Sequence, residues 1–237
     1  MFLSWCGRER RLVDEVDYAR LRHEMVRYQL ERHGIRNPRV LDAMNTVPRE
    51  RFVPARSRFM AYDDTPLPIG FGQTISQPFT VAFMCQALEL RGDERVLELG
   101  TGSGYGAAVL SHLAREIHTV ERITELYEQA RQRIQEMEYP NVHVHLADGT
   151  LGLAEAAPFD AIVVTAAAAS LPQPLALQLA QGGRIVIPLG ESPLTQEMHR
   201  FTRDGATWRV EKLGGFAFVP LIGQYGWNAP DDLLSTD

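Results

Sequence analysis

Between Arg95 and Gly106 the chain reads Arg-Val-Leu-Glu-Leu-Gly-Thr-Gly-Ser-Gly-Tyr-Gly, an apolar strand carrying Glu98 that runs into glycines at 100, 102, 104 and 106. Glycines directly after a buried strand let the backbone turn tightly and approach a ligand with no Cβ in the way. Such a turn belongs at the carboxyl edge of a parallel sheet, where open α/β folds bind their ligands. The spacing argues against two common phosphate sites. A dinucleotide fingerprint needs glycine at position 105, which is Tyr105, and a phosphate loop needs a Gly-Lys-Ser/Thr that this chain lacks. Glu98 would repel a phosphate and suits a ligand with a positively charged end.

The acidic-x-Gly-x-Gly-x-Gly form resembles motif I of the S-adenosylmethionine-dependent methyltransferases, in which the acidic region faces the cationic amino-acid end of the cofactor. Downstream, His118-Thr-Val-Glu121-Arg122 predicts a second strand ending in a carboxylate, the place where such sheets grip adenosine hydroxyls. Glu121 is the candidate for that bond. A third strand over Val142 to Ala147 leads into Asp148-Gly149, where the resemblance implies a loop carboxylate on the adenine. A plain Asp-Gly turn is the alternative for Asp148.

With 237 residues, 45% of them hydrophobic and 23% charged, the chain can bury one large core. We expect a single domain over 16–222, with helices and a substrate loop over 16–90 and the cofactor-binding sheet over 91–222. Residues 1–15 form an extension and 223–237 an acidic tail expected to be mobile, with Tyr225 and Trp227 folding back over the site as the alternative. Net charge is −6 and the basic residues are scattered among acidic ones, so no nucleic-acid partner is expected. No run approaches the length of a membrane span. Cys6 and Cys85 are far apart and outside any Cys-x-x-Cys pair, which suits a reducing cytoplasm and implies neither disulfide nor zinc site. His143 and His145 share a strand face but lack a third ligand at suitable spacing. A monomer is expected.

Apolar periodicity predicts a helix from Asp14 to His33, stopped at Gly34, and a short one after Asn37-Pro38. Residues 51–78, rich in Pro and Gly, read as a long ordered loop, and Phe79 to Leu90 as a helix. Strands near 95–99, 116–120, 142–146, 159–164 and 184–189 then alternate with helices near 104–114, 123–138 and 172–180. This order predicts an α/β fold with a doubly wound, Rossmann-like sheet, mainly parallel, preceded by N-terminal helices. Glu197 to Leu221 is expected to add antiparallel edge strands.

The loop ahead of the glycine turn narrows the family. Pro66-Leu-Pro-Ile-Gly-Phe-Gly-Gln-Thr-Ile-Ser-Gln-Pro78 resembles the stretch that precedes motif I in the protein-L-isoaspartate O-methyltransferases. The likeness continues through Val47-Pro48-Arg49-Glu50-Arg51-Phe52-Val53, Phe159-Asp-Ala-Ile-Val-Val-Thr-Ala-Ala167 and Phe218-Val-Pro-Leu221. It implies an enzyme that methylates isoaspartyl proteins and peptides from S-adenosyl-L-methionine, starting repair through a succinimide. Ser76 is then the catalytic residue, a donor that positions the isoaspartyl carboxylate, with Thr74, Ile75, Val219, Pro220 and Leu221 beside it on the substrate. Gln73, Thr74, Glu98, Gly100, Thr101, Gly102, Ser103, Gly104, Glu121, Arg122, Asp148, Gly149 and Thr165 are the implied cofactor residues. Two segments depart from the family pattern. Ala166-Ala-Ala-Ala-Ser170 replaces a usual Ala-Ala-Pro, which predicts a less rigid loop, and Gly214-Gly-Phe-Ala217 lacks the basic or β-branched residue frequent there.

The chemistry asks little of the protein. A sulfonium methyl is already activated and a carboxylate is ionised at neutral pH, so neither a general base nor a metal is required. The protein must supply alignment and partial dehydration, for which hydroxyls and free N–H groups suffice. No Gly-x-Ser-x-Gly elbow surrounds Ser76, which argues against a covalent nucleophile. A helix-cap role for its hydroxyl is the plainer alternative. Candidate walls for the acceptor are Ile69, Phe71, Ile75 and Phe218 to Leu221. From the residues alone, a carboxyl methyltransferase with another acceptor and a non-catalytic cofactor-binding protein both stay open.

Overall fold

A computed structural model of the chain describes residues 16–192 and 195–227. The expected extension over 1–15 and the tail beyond 227 lie outside the described residues. Seven strands form the main sheet: β3 (Arg95–Leu99), β4 (Glu116–Glu121), β5 (Val142–Leu146), β6 (Phe159–Val164), β7 (Leu179–Ser192), β8 (Thr195–Asp204) and β9 (Thr207–Phe216). Their order is β5-β4-β3-β6-β7-β8-β9. The first five in that order run parallel, and β8 and β9 close the edge antiparallel. The order reverses beside β3, and that reversal opens a crevice at the carboxyl ends of β3 and β6.

Side chains alternate across the sheet because successive Cβ atoms point to opposite faces. Val96, Ala161, Val163 and Val186 join one core with the N-terminal helices, whereas Leu97, Leu99, Ile162, Val164, Ile185 and Ile187 join the other. Both faces of the parallel strands are therefore covered, as buried parallel sheets require. Helices α4 (Tyr105–Ser111) and α5 (Thr124–Glu136) lie on the first face, and α6 (Gln173–Gln178) on the second. His143 and His145 flank His118 of β4, with His118 Nδ1 3.1 Å from His145 Nε2.

The N-terminal helix is less regular than its periodicity predicts. It starts as α1 (Tyr18–Glu24), capped by the Asp17 side chain, which accepts the Arg20 N–H at 3.0 Å. It widens to a π-turn over Met25–Leu30, tightens over Glu31–His33, and stops at Gly34 with φ +100°. Helix α2 (Pro38–Thr46) begins where Asn37 caps the Arg39 and Val40 N–H groups.

Residues 51–78 hold more structure than a loop. A 3-10 turn covers Ala55–Met60, and β1 (Leu67–Gly70) pairs with β2 (Gln73–Ile75) in a hairpin. Prolines at 66 and 68 mask the alternation that would have shown it, since Leu67 and Ile75 are buried while Pro68 and Thr74 face out. Phe71 turns the hairpin with φ +53° and is 50% exposed, while Ile69 packs against Gly102. Helix α3 (Pro78–Ala87) follows at once, starting one residue earlier and ending three residues earlier than expected.

The alanine loop after β6 is held by main-chain bonds rather than by proline. Ala167 N donates to Val219 O at 2.8 Å, and Leu221 N donates to Ala167 O at 2.7 Å. Ala168 N donates to Pro188 O at 3.1 Å and Gly190 N to Ala168 O at 3.0 Å. The expected loss of rigidity is offset because neighbouring strands supply these partners. The same pairing carries Val219 to Leu221 to the crevice.

Candidate active site

The glycine turn is built from the strand ends beneath it. Gly100 N and Thr101 N both donate to Val120 O, at 2.9 and 3.2 Å, which ties the end of β3 to β4. Gly102 N donates to Glu121 Oε2, and Arg122 N and Ile123 N donate to Oε1, each at 2.9 Å. Glu121 therefore fixes both the turn and the start of α5 through three amides, and a carboxylate retains room for one further donor.

Glu98 lies below, 2% exposed. Thr119 Oγ1 donates to its Oε2 at 2.7 Å and stands 2.6 Å from Thr101 Oγ1. With the Thr119 proton committed to Glu98, Thr101 must donate to Thr119, so the hydroxyls form a directed chain from the turn to the carboxylate. Burial pushes the Glu98 pKa up to about 8; the Thr119 hydrogen bond pulls it down and the nearby Glu121 charge pushes it up. The glycines make room for these groups. A Cβ at 106 would collide with Glu98 Oε1, and one at 100 with the Thr165 hydroxyl.

The resulting pocket is lined by Gln73, Thr74, Ile75, Ser76, Glu98, Gly100, Thr101, Gly102, Ser103, Glu121, Arg122, Gly149, Thr165, Val219, Pro220 and Leu221. Leu99, Val120, Ile123, Ile222, Tyr105 and Gly106 line it too. Sequence reasoning passed over these, although Leu99 and Val120 end the same strands and were legible as such. Gly104 stands outside the lining: it caps α4 with φ +88° and packs on Ala130 and Ile134.

Asp148 is also outside. Its Oδ1 accepts Thr150 N at 2.9 Å and Thr150 Oγ1 at 2.7 Å, and its Oδ2 accepts Gln224 N at 2.8 Å. So placed, the carboxylate ties the Thr150 turn to the Gln224 amide. Tyr225 N donates to Thr150 Oγ1 at 3.1 Å and Trp227 Nε1 to Ala167 O at 3.1 Å, so this stretch packs back on the domain rather than standing free.

A second, open groove adjoins the pocket beside Phe79, Gln196, Phe216 and Phe218. Phe79, Phe83, Phe216 and Phe218 form a ladder with centroid spacings of 5.8, 5.0 and 6.4 Å. Thr74, Ser76, Thr165 and Val219 line both spaces. The hairpin and the Val219 segment thus meet at one junction, to which they bring two hydroxyls of the conspicuous 66–78 stretch.

Two carboxyl groups, several hydroxyls and apolar strand ends fit a nucleoside carrying an amino-acid arm. This fold and this donor set define a Rossmann-like methyltransferase that takes S-adenosylmethionine. Residues 21–226 match the family model described as Protein-L-isoaspartate(D-aspartate) O-methyltransferase (PCMT). The chain belongs to that family. It is 54% identical over 207 residues to Protein-L-isoaspartate O-methyltransferase 2 of Pelobacter propionicus, covering 87% of this chain and 92% of that protein. It is 49% identical over 214 residues to Protein-L-isoaspartate O-methyltransferase of Dictyoglomus thermophilum, covering 90% and 96%. A solved protein-L-isoaspartate O-methyltransferase superposes with a TM-score of 0.77 at 27% identity, over 86% of this chain and 67% of that one. The fold is shared as well with a Plasmodium falciparum structure titled a putative protein-L-isoaspartate O-methyltransferase in complex with S-adenosyl-L-homocysteine, with a TM-score of 0.72 at 24% identity over 85% and 98%.

Proposed function

We infer that this chain transfers a methyl group from S-adenosyl-L-methionine to the α-carboxylate of L-isoaspartyl residues in damaged proteins and peptides, so that a succinimide can form and repair begin. Family membership supports the reaction. The observation that carries the assignment of its residues is the junction at Ser76, where the enclosed pocket and the open groove share a wall. When bound, the cofactor supplies a methyl group already activated as a sulfonium.

The chain's residues then have distinct tasks. Glu98 and Glu121 answer the positive and hydroxyl-bearing parts of the cofactor, with Gln73, Thr101, Ser103, Arg122, Gly149 and Thr165 around it. Ser76 donates to the acceptor carboxylate and turns one oxygen toward the pocket. Thr74 assists it. Ile75, Val219, Pro220 and Leu221 exclude water at the junction, where a less hydrated carboxylate is the better nucleophile. The acceptor is ionised at neutral pH and needs no base.

We read residues 16–222 as the domain that carries this chemistry, acting as a monomer in the cytoplasm. Among the described residues no helix is long and apolar enough to cross a membrane, and the scattered charge offers no footprint for nucleic acid. The test is labelling from methyl-labelled cofactor with a matched pair of peptides, one isoaspartyl and one aspartyl. Base-labile ester is expected on the isoaspartyl peptide alone. Ester on neither, with the cofactor shown to bind, would send the search to other acceptors.

A further inference from the structure

Arg49 is completely buried, and its guanidinium is committed to main-chain oxygens. Its Nε donates to Ala61 O at 2.8 Å and its Nη2 to Ser76 O at 2.7 Å, while Nη1 has no hydrogen-bond partner. Among the described residues no carboxylate stands within ion-pairing distance of it. The groups whose charges act on it are the phenols of Tyr105 and Tyr62 and the carboxylate of Asp64. Burial holds both phenols in their neutral form, Tyr105 up to about 12 against the pull of Arg49, and Tyr62, which also donates to Glu50, higher still. Asp64 is exposed and accepts from Gln77 Nε2 at 2.9 Å and Phe79 N at 3.3 Å. The guanidinium carbon lies 4.8 Å from the ring centroid of Tyr105, a residue of the pocket wall.

A buried cation with no carboxylate partner is costly, and two carbonyls with the neutral Tyr105 phenol are a poor return for it. Its placement supplies the reason. Ser76 sits at the junction through which methyl must pass, just before α3, and the Arg49 guanidinium donates to its carbonyl. The acceptor that arrives there is an anion. We propose that Arg49 is a positioning residue for methyl transfer: it clamps the Ser76 carbonyl so that the hydroxyl faces the acceptor, and its uncompensated charge favours a carboxylate at that place. The proposal rests on the reading of Ser76 as the group that orients the acceptor.

The experiment compares the full-length wild type with Arg49→Met, Arg49→Lys, Ser76→Ala and the Arg49→Met/Ser76→Ala double variant. Each is followed by thermal unfolding, calorimetric affinity for S-adenosylhomocysteine, and KM and kcat on an isoaspartyl peptide. Arg49→Met is expected to keep product affinity within about threefold and to lower kcat/KM by about thirtyfold, mainly through KM. Arg49→Lys keeps the charge but cannot hold two carbonyls in one plane, so it should recover about a third to a tenth of wild-type kcat/KM. In the Ser76→Ala background the Arg49→Met loss should shrink to about threefold or less, since the clamp then has no hydroxyl to aim.

An Arg49→Met protein that folds, binds product and keeps wild-type kcat/KM overturns the proposal. So does an undiminished Arg49→Met loss in the Ser76→Ala background, which would mark a merely structural arginine. If Arg49→Met does not fold, Arg49→Lys decides: wild-type kcat/KM in that variant is the overturning result. If Ser76→Ala itself retains full activity, the reading of Ser76 fails first, and a remaining Arg49→Met defect is then structural.

Discussion

Gly106 lies against the buried carboxylate of Glu98 so closely that a methyl group at residue 106 would take the place of Oε1. The fourth glycine of the turn is thus spent on a side chain from the preceding strand, not on a backbone turn. Alanine there improves helix propensity by up to about 1 kcal/mol, because position 106 is in the first turn of α4. The clash with a 2%-exposed Glu98 opposes that gain. Gly106→Ala is expected to weaken S-adenosylhomocysteine binding by about tenfold or more, measured by calorimetry, while helix content by circular dichroism is unchanged. Wild-type affinity in the variant would show that Glu98 moves aside freely.

Glu98 also predicts a pH dependence whose sign follows from burial. Its folded-state pKa is raised to about 8, against 4.5 for an ordinary glutamate in water, so the folded free protein binds more protons than the unfolded chain across that window. This group's contribution to stability is full below the lower value and falls as pH rises toward the higher one. A positively charged ligand favours the ionised carboxylate, so binding should release a proton at neutral pH. Affinity for S-adenosylhomocysteine is expected to rise with pH up to about 8 and then level off. Calorimetry at pH 7 in two buffers of different ionisation heat reads the proton directly; equal apparent enthalpies would exclude Glu98 as its source.

Thr119→Val tests the hydroxyl chain. The change keeps the shape of the side chain but removes the hydrogen bond that favours the Glu98 carboxylate. The pH midpoint of cofactor-product binding should therefore move upward. A midpoint that stays or moves down contradicts the directed chain from Thr101.

Asp148→Ala separates a cofactor contact from a structural one. The substitution removes three accepted hydrogen bonds, two from Thr150 and one from Gln224. It should cost about 1–3 kcal/mol of stability and lower Tm by several degrees. If its main task is to hold segment 224–227, protease cleavage near the C-terminus should speed up more than product affinity falls. A large loss of affinity at unchanged Tm would instead place Asp148 on the ligand.

The strand-glycine turn, the alternation of strands and helices, the two strand-end carboxylates and the family were all legible along the chain, because each is written in adjacent residues whose backbone demands are local. Residues 95–106 and 66–78 needed no partner to be read. Only the tertiary structure decided how those pieces are used. The Gly70-Phe71-Gly72 hairpin was hidden because prolines break its alternation, and the firmness of Ala166 to Ala168 was hidden because its partners stand some twenty and fifty residues away. The bond between Asp148 and the Gln224 amide joins residues 76 positions apart and could not be read along the chain. Arg49 reads as one charged residue among many until folding removes its water and leaves it beside Ser76. These are effects of burial and of contacts distant in sequence, and a one-dimensional pattern holds neither.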